Sequence, residues 1–338
     1  MFETWNLSSN SSNATHEAWY SIDNKVPKTL AYCLLFFISI VGNSFILRTI
    51  YKDSRLKTTT NFLMANMAVS DLLTTTCFVP KIVADINYDN RWLIDGDVSL
   101  ALCKLVNFLA DVSFHVSVYS CVFIAIDRYY AVAHPMKRGF SRSRLKYIIL
   151  GIWMFATLIA SPYLYYFRLK EFIDIAFCGT FGVNISYIHI YILIILIIVM
   201  PLTIVTIVYV LIVYKLRHNK VPGQQTDSIR RRIDQQNRKV LNMAVVIVAL
   251  SSLSLGCLAI FAILANENVL KNSKSVYYDL GFSFIFIFRF NVCYNFFIYL
   301  IFNDIYRENF KTMISKCRCC TCSVNINNGE TDQELEAI

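Results

Sequence analysis

Seven long apolar segments alternate with shorter polar segments along the chain. A helix that crosses a bilayer needs about 20 mostly apolar residues, because the hydrocarbon core is about 30 Å thick. Four of the segments contain no Asp, Glu, Lys or Arg: 29–47, 147–167, 185–214 and 240–266. Three others carry one or two ionisable residues far from their ends: 61–84, 105–126 and 280–302. The pattern predicts an all-α membrane protein with a seven-transmembrane helix bundle.

Composition supports this interpretation. Of the 338 residues, 56% are hydrophobic and 16% are charged, whereas ordinary globular proteins have roughly 45–50% and about 25%. So apolar a chain is not expected to be disordered or to form two soluble domains. The net charge of +9 comes from short loops between the segments and not from a folded basic face, so no nucleic-acid partner is predicted.

The basic residues indicate how the bundle lies in the membrane, because Lys and Arg concentrate in short cytoplasmic loops. The first, third and fifth connections are rich in Lys and Arg, and the fifth contains the run 230–232 of three arginines. The second connection instead holds four aspartates and one arginine, Arg91. We therefore predict an extracellular N-terminus and a cytoplasmic C-terminus.

This topology divides the chain into four parts. They are an extracellular glycosylated tail (1–27), the seven-helix bundle (28–302), a short amphipathic eighth helix (303–316) and a cytoplasmic tail (317–338). Four sequons on the predicted outer side are candidate glycosylation sites: Asn6, Asn10, Asn13 and Asn184. No signal-peptide cleavage pattern precedes residue 28, so the first helix is expected to act as its own insertion signal.

Two groups among the eleven cysteines are set apart by their predicted surroundings. Only Cys103, at the top of the third span, and Cys178, in the second outer loop, lie on the oxidising side, and they are predicted to form a disulfide. Four others follow the amphipathic segment just inside the membrane: Cys317, Cys319, Cys320 and Cys322. Their crowded spacing favours palmitoylation, and a zinc site is the alternative.

Several polar side chains lie at a similar depth inside the predicted bundle. Asp71 is in the middle of the second span, and Ser117 is in the third. Asn291 and Asn295 are four residues apart on one face of the seventh span. A carboxylate surrounded by hydroxyl and amide oxygens suits a small hard cation. The four residues predict a sodium site at Asp71, and a water-filled polar network without a specific ion is the alternative.

Further motifs occur at spacings typical of one receptor family. Asp127-Arg128-Tyr129 closes the third span at its cytoplasmic edge, and Cys103 stands 25 residues before Arg128. The second span reads LMANMAVSDLL over 63–73. Other matches are Gly42-Asn43, Trp153, Pro162, Pro201, Tyr209, Asn295, Tyr299, Tyr306 and Phe310. Over roughly residues 28 to 320, the chain resembles a rhodopsin-like (class A) G-protein-coupled receptor.

The resemblance implies a multi-pass plasma-membrane receptor that couples an extracellular ligand to a heterotrimeric G protein, with arrestin and membrane lipid as further partners. The implied G-protein switch comprises Asp127, Arg128, Tyr129, Tyr209 and Tyr299. Within the family, the loop Arg91-Trp92-Leu93-Ile94-Asp95-Gly96 and the segment Cys103-Lys104-Leu105 are similar to those of neuropeptide receptors. A peptide ligand is therefore expected.

The sequence departs from the family pattern in the sixth and seventh spans. The family's Cys-Trp-x-Pro motif aligns on 254–257, which reads SLGC, and the aromatic residue one turn earlier aligns on Ser251. The Asn-Pro-x-x-Tyr motif aligns on 295–299, which reads NFFIY, again without proline. Proline kinks a helix, so both helices are predicted to be straighter. Asn237 stands where an acid usually locks Arg128, and this altered switch predicts raised basal signalling.

Three charged residues are candidates for ligand contacts: Asp85, Asp111 and Arg289. Amine receptors of the family carry an Asp where this chain has Ala110, and Asp111 is turned away by about 100° of helix rotation, which disfavours an amine ligand. Arg289 takes the place of the retinal lysine of opsins and cannot form that Schiff base. It is expected to point outward to a ligand acid or carbonyl, to point inward to Asp71, or to pair structurally with another buried acid.

Other functions have weaker support in the sequence. No phosphate-binding Gly loop, His-Glu metal helix or nucleophile elbow is present, so no enzyme is predicted. No internal repeat indicates a transporter. The main alternative is an atypical seven-helix protein that binds a ligand without activating G proteins, because two family motifs are incomplete. The last residues, 336–338, weakly resemble a C-terminal motif for a PDZ-type partner.

Overall fold

The computed structural model describes residues 25–133, 141–172, 175–180, 192, 194–218, 227–266 and 274–315. The candidate glycosylation sites Asn6, Asn10, Asn13 and Asn184 lie outside the described residues, as do the candidate palmitoylation sites Cys317, Cys319, Cys320 and Cys322 and the C-terminal residues 336–338. These modifications stay predictions. The outer and cytoplasmic sides of the bundle are those of the predicted orientation.

Most of the described chain is helical. Helix one is Lys25–Lys52, helix two Thr59–Asn87, helix three Ser99–Ala133, helix four Arg142–Ala160, helix five Met200–His218 and helix six Asp227–Asn266. Helix seven consists of Lys274–Arg289 and Asn291–Phe302, and helix eight follows at 304–315. Among the described residues, five helices are long and apolar enough to cross a membrane, and the two parts of helix seven form a sixth, bent span. The apolar part of helix five, Met200–Lys215, is shorter than these spans. The predicted fifth span also includes 185–199, of which the structure describes only a part.

The helices extend beyond the apolar segments where polar residues cap their first turns. The Thr58 side chain accepts a hydrogen bond from the amide of Asn61 at the start of helix two. Ser141 does the same for the amide of Arg144 at the start of helix four. Such caps satisfy amides that have no partner within the helix.

Helix three lies at the centre of the bundle. Every residue from Val112 to Val122 is buried, so this part of the helix contacts protein on all sides. Helix four is the opposite case, because Leu150, Met154 and Leu158 are largely exposed. A helix that is apolar and buried all round belongs to the centre of a bundle, whereas exposed apolar side chains on a spanning helix face the lipid.

The outer end is closed by a β-hairpin. Strands β1 (Arg168–Phe172) and β2 (Ile175–Gly179) are antiparallel, with Leu169 opposite Cys178. Cys178 is bonded to Cys103 at the top of helix three, which confirms the predicted disulfide. Trp92 holds the hairpin from the other side, because its amide donates to the Ala176 carbonyl at 2.8 Å. The hairpin is thus fixed to both helix three and the first outer loop.

The segment that leads into helix five is irregular, and helix three compensates for this. A π-turn covers Ile195–Val199, directly before helix five, whose second residue is Pro201. In a π-helix each carbonyl pairs with the amide five residues later, and for Leu196 that residue is Pro201, which has no N–H. The hydroxyl of Tyr119 on helix three donates to the Leu196 carbonyl at 2.7 Å. Helix three thereby satisfies a carbonyl that helix five leaves without an amide.

Helix seven is bent, and the prediction that it would be straighter is wrong. Its two parts meet at 46° around Phe290 although no proline is present. Bends without proline arise where side chains insert into the helix ladder. The Val292 carbonyl accepts hydrogen bonds from Asn43 Nδ2 at 2.9 Å and Ser39 Oγ at 3.3 Å, both on helix one. At the bend, the Cys293 amide bonds to the carbonyl of Phe290, three residues earlier instead of four.

Helix six runs without interruption from Asp227 to Asn266. It passes Gly256 as a regular helix, and a Cβ atom at that position would meet no heavy atom within 4 Å. The glycine therefore permits no close approach of a neighbour and produces no break in the helix.

Candidate functional site

The structure brings three of the four predicted ion-site residues together in the middle of the bundle. Asp71 on helix two is almost fully buried. Asn295 Nδ2 on helix seven donates to Asp71 Oδ2 at 2.8 Å, and Ser117 Oγ on helix three donates to Asp71 Oδ1 at 3.5 Å. Asn291 is buried one turn earlier on helix seven, but no described hydrogen bond links it to the other three.

The residues around Asp71 carry several side-chain oxygens, although Asn295 turns its amide nitrogen and not its oxygen toward the carboxylate. The side-chain oxygen of Asn295, Oδ1, is buried and has no hydrogen-bond partner among the described residues. Together with the Asp71 carboxylate and the Ser117 hydroxyl, it offers three kinds of oxygen ligand, the donor chemistry that hard cations prefer. A buried carboxylate also gains from a nearby positive charge, because desolvation of an isolated anion is costly.

The ion-site residues continue into a polar network with helix one. Thr75 Oγ1 donates to the Asp71 carbonyl at 2.7 Å, and the same hydroxyl lies 2.6 Å from Ser39 Oγ. Ser39 and Asn43 then reach the bend of helix seven through the Val292 carbonyl. The bend of helix seven and the candidate ion site therefore belong to one hydrogen-bonded unit.

At the cytoplasmic end of helix three, Asp127 and Arg128 form an ion pair. The Asp127 carboxylate also accepts a hydrogen bond from Thr60 Oγ1 on helix two, at 2.9 Å. Asp127 is 1% exposed, so helix two holds the carboxylate in place and the carboxylate orients the arginine. Charge-assisted hydrogen bonds of this kind are stronger than neutral ones.

The tyrosines of the predicted switch are not gathered around Arg128. Tyr209 on helix five is 40% exposed, whereas Tyr299 on helix seven is buried. The Tyr299 hydroxyl lies 3.4 Å from Met67 Sδ, and Tyr129 contacts the ring of its neighbour Tyr130. No described hydrogen bond joins Tyr209 or Tyr299 to Arg128, so an inner contact that includes all three needs a rearrangement.

Arg289 lies in the outer half of the bundle. Its guanidinium carbon is 3.7 Å from the ring centroid of Phe78, and Phe78 is one of the helix-two residues nearer the outer end than Asp71. Arginine stacks readily on aromatic faces. The described hydrogen bonds of the Asp71 carboxylate come from Asn295 and Ser117. The structure therefore places Arg289 against Phe78 and not against Asp71, which leaves a ligand contact or a structural pairing with another acid as its role.

The two acidic pocket candidates have partners on their own helices. Asp85 Oδ2 is 2.7 Å from Lys81 Nζ. His115 Nδ1 lies 2.8 Å from the Asp111 carbonyl, so this nitrogen carries a hydrogen, and it is 3.4 Å from Asp111 Oδ2. Asp85 lies two turns after Phe78 on helix two, and Arg289 stacks on the Phe78 ring. Asp85 and Arg289 thus lie in the same outer region of the bundle.

Further ion pairs connect helix one with the outer rim. Lys25 Nζ lies 2.7 Å from Asp89, which follows helix two. Lys28 Nζ lies 2.9 Å from Asp279 on helix seven, and the lysine is buried although the aspartate is partly exposed. These bridges join the start of helix one to both of its neighbours at the mouth of the bundle.

Two polar contacts of helix six could not be predicted from the sequence. The Ser251 hydroxyl is hydrogen bonded to the Tyr294 hydroxyl on helix seven, and Lys239 Nζ lies 2.8 Å from Asp304 Oδ2 at the start of helix eight. The small Ser251, in a position where the family has an aromatic residue, was a signal of an altered contact. Its partner depends on how two distant helices face each other, which spacing does not determine.

Comparisons with known proteins agree with this architecture. Residues 42–299 match the family described as "7 transmembrane receptor (rhodopsin family)". The RYamide receptor of Drosophila melanogaster is 24% identical over 328 residues, which cover 92% of this chain and 69% of that receptor. The substance-P receptor of Aquarana catesbeiana is 27% identical over 295 residues, 86% of this chain and 70% of the relative. A QRFP-like peptide receptor of Branchiostoma floridae is 26% identical over 302 residues, 85% of this chain and 77% of that receptor. Because this match covers most of the chain, the chain belongs to the rhodopsin family of seven-transmembrane receptors.

Proposed function

We propose that the protein transduces the binding of an extracellular peptide, of the neuropeptide class, to a heterotrimeric G protein. Membership of the rhodopsin family makes it a G-protein-coupled receptor and not an enzyme, in the plasma membrane with several membrane passes. The names of its relatives refer to RYamide, substance-P and QRFP-like peptides, which supports a peptide as the ligand class.

The Asp127–Arg128 ion pair carries the signalling part of the proposal. The arginine lies at the cytoplasmic end of the central helix, and its partner carboxylate is fixed by Thr60. The neighbouring acid preorganises the guanidinium, and opening of this pair would make the guanidinium available to another partner. Arg128 would then contact the G protein, with Tyr209 and Tyr299 moving toward it.

G-protein activation in cells tests this role. Arg128→Ala is expected to abolish both basal activation and activation evoked by a pool of amidated neuropeptides. Arg144→Ala is the matched control, because Arg144 is an exposed cytoplasmic arginine outside the proposed switch. Equal signals from wild type and Arg128→Ala would contradict the proposal. Silence of the wild type at confirmed surface expression would favour a ligand binder that does not activate G proteins.

For the ligand side, we propose that Asp85, Asp111 and Arg289 contact the peptide. Arg289 would bind a ligand carboxylate or the terminal carbonyl, which suits its planar fork of donors. Arg289→Lys keeps the charge but loses the fork, so peptide potency is expected to fall, and equally for peptides that differ only in a C-terminal amide or acid. A loss confined to the acid would instead indicate bidentate binding of the ligand carboxylate, because lysine preserves a simple charge contact. Unchanged potency would contradict a contact that needs the planar fork.

For the polar centre, we propose that sodium binds at Asp71 with Ser117, Asn291 and Asn295 as further ligands. A ligand that binds only the folded state stabilises it by mass action. Sodium is therefore expected to raise the melting temperature of the purified receptor and to lower agonist affinity, and Asp71→Asn is expected to remove both effects. Equal effects of sodium and N-methylglucamine chloride would indicate ionic strength and exclude a specific site.

Further proposals concern the cytoplasmic side and the tails. The basic loops would hold anionic lipid, and the active receptor would bind arrestin. Palmitoylation of Cys317, Cys319, Cys320 and Cys322 would anchor the tail after helix eight. Mass spectrometry of the purified protein, with and without hydroxylamine and glycosidase, tests these acyl groups and the glycans at Asn6, Asn10, Asn13 and Asn184.

A further inference from the structure

Two side chains of helix six, among those that the structure describes, make polar contacts with other helices. Ser251 is hydrogen bonded to Tyr294 on helix seven. Lys239 is ion paired with Asp304 on helix eight. The two positions are separated by twelve residues, or about 18 Å along the helix. The segment 239–251 of helix six is therefore attached at both of its ends to the helix seven–helix eight side of the bundle.

The hydrogen position in the upper contact follows from its geometry. Ser251 is 5% exposed, and its hydroxyl donates to the Ile247 carbonyl at 2.9 Å. A serine hydroxyl has one hydrogen, so toward Tyr294 it accepts, and the tyrosine donates. The next residue, Asn295, donates to Asp71. One turn of helix seven thus carries a donor for helix six and a donor for the candidate ion site.

The lower contact is charged and open to solvent. The Lys239 and Asp304 side chains are 50% and 61% exposed. Arg307, one turn later on helix eight, contacts the same carboxylate. Lys239 lowers the pKa of Asp304 most, with a further contribution from Arg307, so the acid is charged at neutral pH. Exposed pairs contribute little to stability, and this contact can open at small cost.

These two contacts occur in a chain that lacks the usual restraint on helix six. Asn237 stands where the family pattern has an acid, and an amide offers no charge to Arg128. The described ion-pair partner of Arg128 is Asp127 on its own helix. Among the described residues, Ser251–Tyr294 and Lys239–Asp304 are the polar contacts that attach helix six to helices seven and eight.

We propose that Ser251–Tyr294 and Lys239–Asp304 form a clasp that holds helix six against helices seven and eight, and that opening of this clasp permits G-protein activation. The inference rests on the proposed signalling function. The clasp joins the middle of helix six to the ion-site turn of helix seven and joins Lys239, twelve residues earlier on helix six, to the start of helix eight. A change at either contact would thus affect the position of helix six at the other.

Removal of one polar group at a time tests the clasp. Tyr294→Phe keeps the ring and removes the donor, which is expected to raise basal G-protein activation about fivefold, the shift produced by loss of one interhelical hydrogen bond. Asp304→Asn is expected to raise it about twofold, because the pair is exposed. The double variant Lys239→Glu with Asp304→Lys restores the opposite charges and is expected to lower basal activation below that of Lys239→Glu alone.

Matched controls use the same chemical changes away from helix six. Tyr119→Phe removes a hydroxyl that bonds to helix five, and Glu308→Gln removes a helix-eight carboxylate that pairs with Arg55 in the first cytoplasmic loop. Neither control is expected to raise basal activation at equal surface expression. A rise as large as in the clasp variants would indicate general loosening and overturn the proposal, as would an unchanged signal in both clasp variants.

A distance measurement separates failure of the clasp from failure of the signalling proposal. Spin labels on genetically encoded residues at the exposed positions 57 and 235 report the separation of helices two and six in the purified receptor. Tyr294→Phe and Asp304→Asn are expected to increase the population with a longer distance, whether or not any G protein responds. Unchanged distance distributions would overturn the clasp and leave the Arg128 test unaffected.

Discussion

Helices six and seven lack the same feature and yet differ in shape. Both lack the proline of the family pattern. Helix six continues without interruption for 40 residues, whereas helix seven bends by 46° at Phe290. The difference lies in their neighbours, because helix one presents Ser39 and Asn43 to the carbonyl of Val292. No comparable donor from another helix reaches the described backbone of helix six.

The comparison shows that a bend can be supplied from outside the helix. Proline bends a helix by removing a hydrogen bond within it, and donors from a neighbour can compete for a carbonyl to similar effect. A bend of the second kind depends on how closely the two helices pack. Gly42 permits that approach, because a Cβ atom there would lie 2.7 Å from Phe296 Cγ and 2.9 Å from its Cβ.

The largest expected effect comes from separating helices one and seven. Gly42→Ala forces a shift of Phe296, whose Cβ cannot turn away, and overpacking of this kind costs about 3 kcal/mol. Thermal unfolding of the purified receptor is expected to show a clear loss of stability. Gly151→Ala on helix four is the control, because its Cβ meets no heavy atom within 4 Å. Equal melting temperatures for the two variants would contradict the close approach.

The next effect concerns the donor at the bend. Asn43→Ala removes a fully buried amide that donates to Ser39 and to the Val292 carbonyl, which is expected to cost about 2 kcal/mol and to reduce the angle of helix seven. Unfolding and a structure of the variant measure both. Thr76→Val serves as the control, because the exposed Thr76 hydroxyl bonds to carbonyls of its own helix. A bend of unchanged angle would show that helix seven bends without helix one.

A smaller effect is expected at the compensated carbonyl of helix five. Tyr119→Phe removes the donor of the Leu196 carbonyl, which has no amide partner five residues later because Pro201 stands there. The variant is expected to lose about 1 kcal/mol in the free energy of unfolding. Tyr147→Phe is the matched change on helix four, where the ring is 73% exposed, and it is expected to be neutral. If both variants melt at the wild-type temperature, the Tyr119 hydrogen bond does not support the π-turn.

The smallest effect is expected in helix six itself. Gly256→Ala fills open space in a helix interior, and alanine is more favourable there by about 0.5–1 kcal/mol. Stability is expected to rise slightly, and agonist-evoked signalling is expected to fall if Gly256 gives helix six local pliability. Gly151→Ala makes the same change in helix four and provides the baseline. Signalling that falls equally in both would assign no special role to Gly256.

The sequence predicted the number and type of the helices because their signal is local. Twenty apolar residues in succession indicate a spanning helix whatever surrounds them. The pairing of Cys103 with Cys178 followed from the side of the membrane on which each lies. Asp71, Ser117 and Asn295 were recognised as one group because residues at equal depth on adjacent spans come close together.

Other features were beyond the sequence because they depend on which faces of two helices meet. The bend of helix seven was predicted wrongly, since proline content describes only the helix itself. Three roles of Arg289 were compatible with its position, and only the location of the Phe78 ring argues against the pairing with Asp71. The contacts of Ser251 and Lys239 join residues more than forty positions apart, and nothing in their spacing identifies Tyr294 or Asp304.

The sequence predicts a seven-helix membrane receptor with a polar centre at Asp71 and with Arg128 at the cytoplasmic end of the third helix. These properties follow from the cost of placing polar groups in lipid, which limits where each segment can lie. The tertiary structure alone decided which polar groups bond across helices: Asn43 to Val292, Tyr119 to Leu196 and Tyr294 to Ser251. Such bonds form within about 3 Å, a precision that is reached only when the helices have packed.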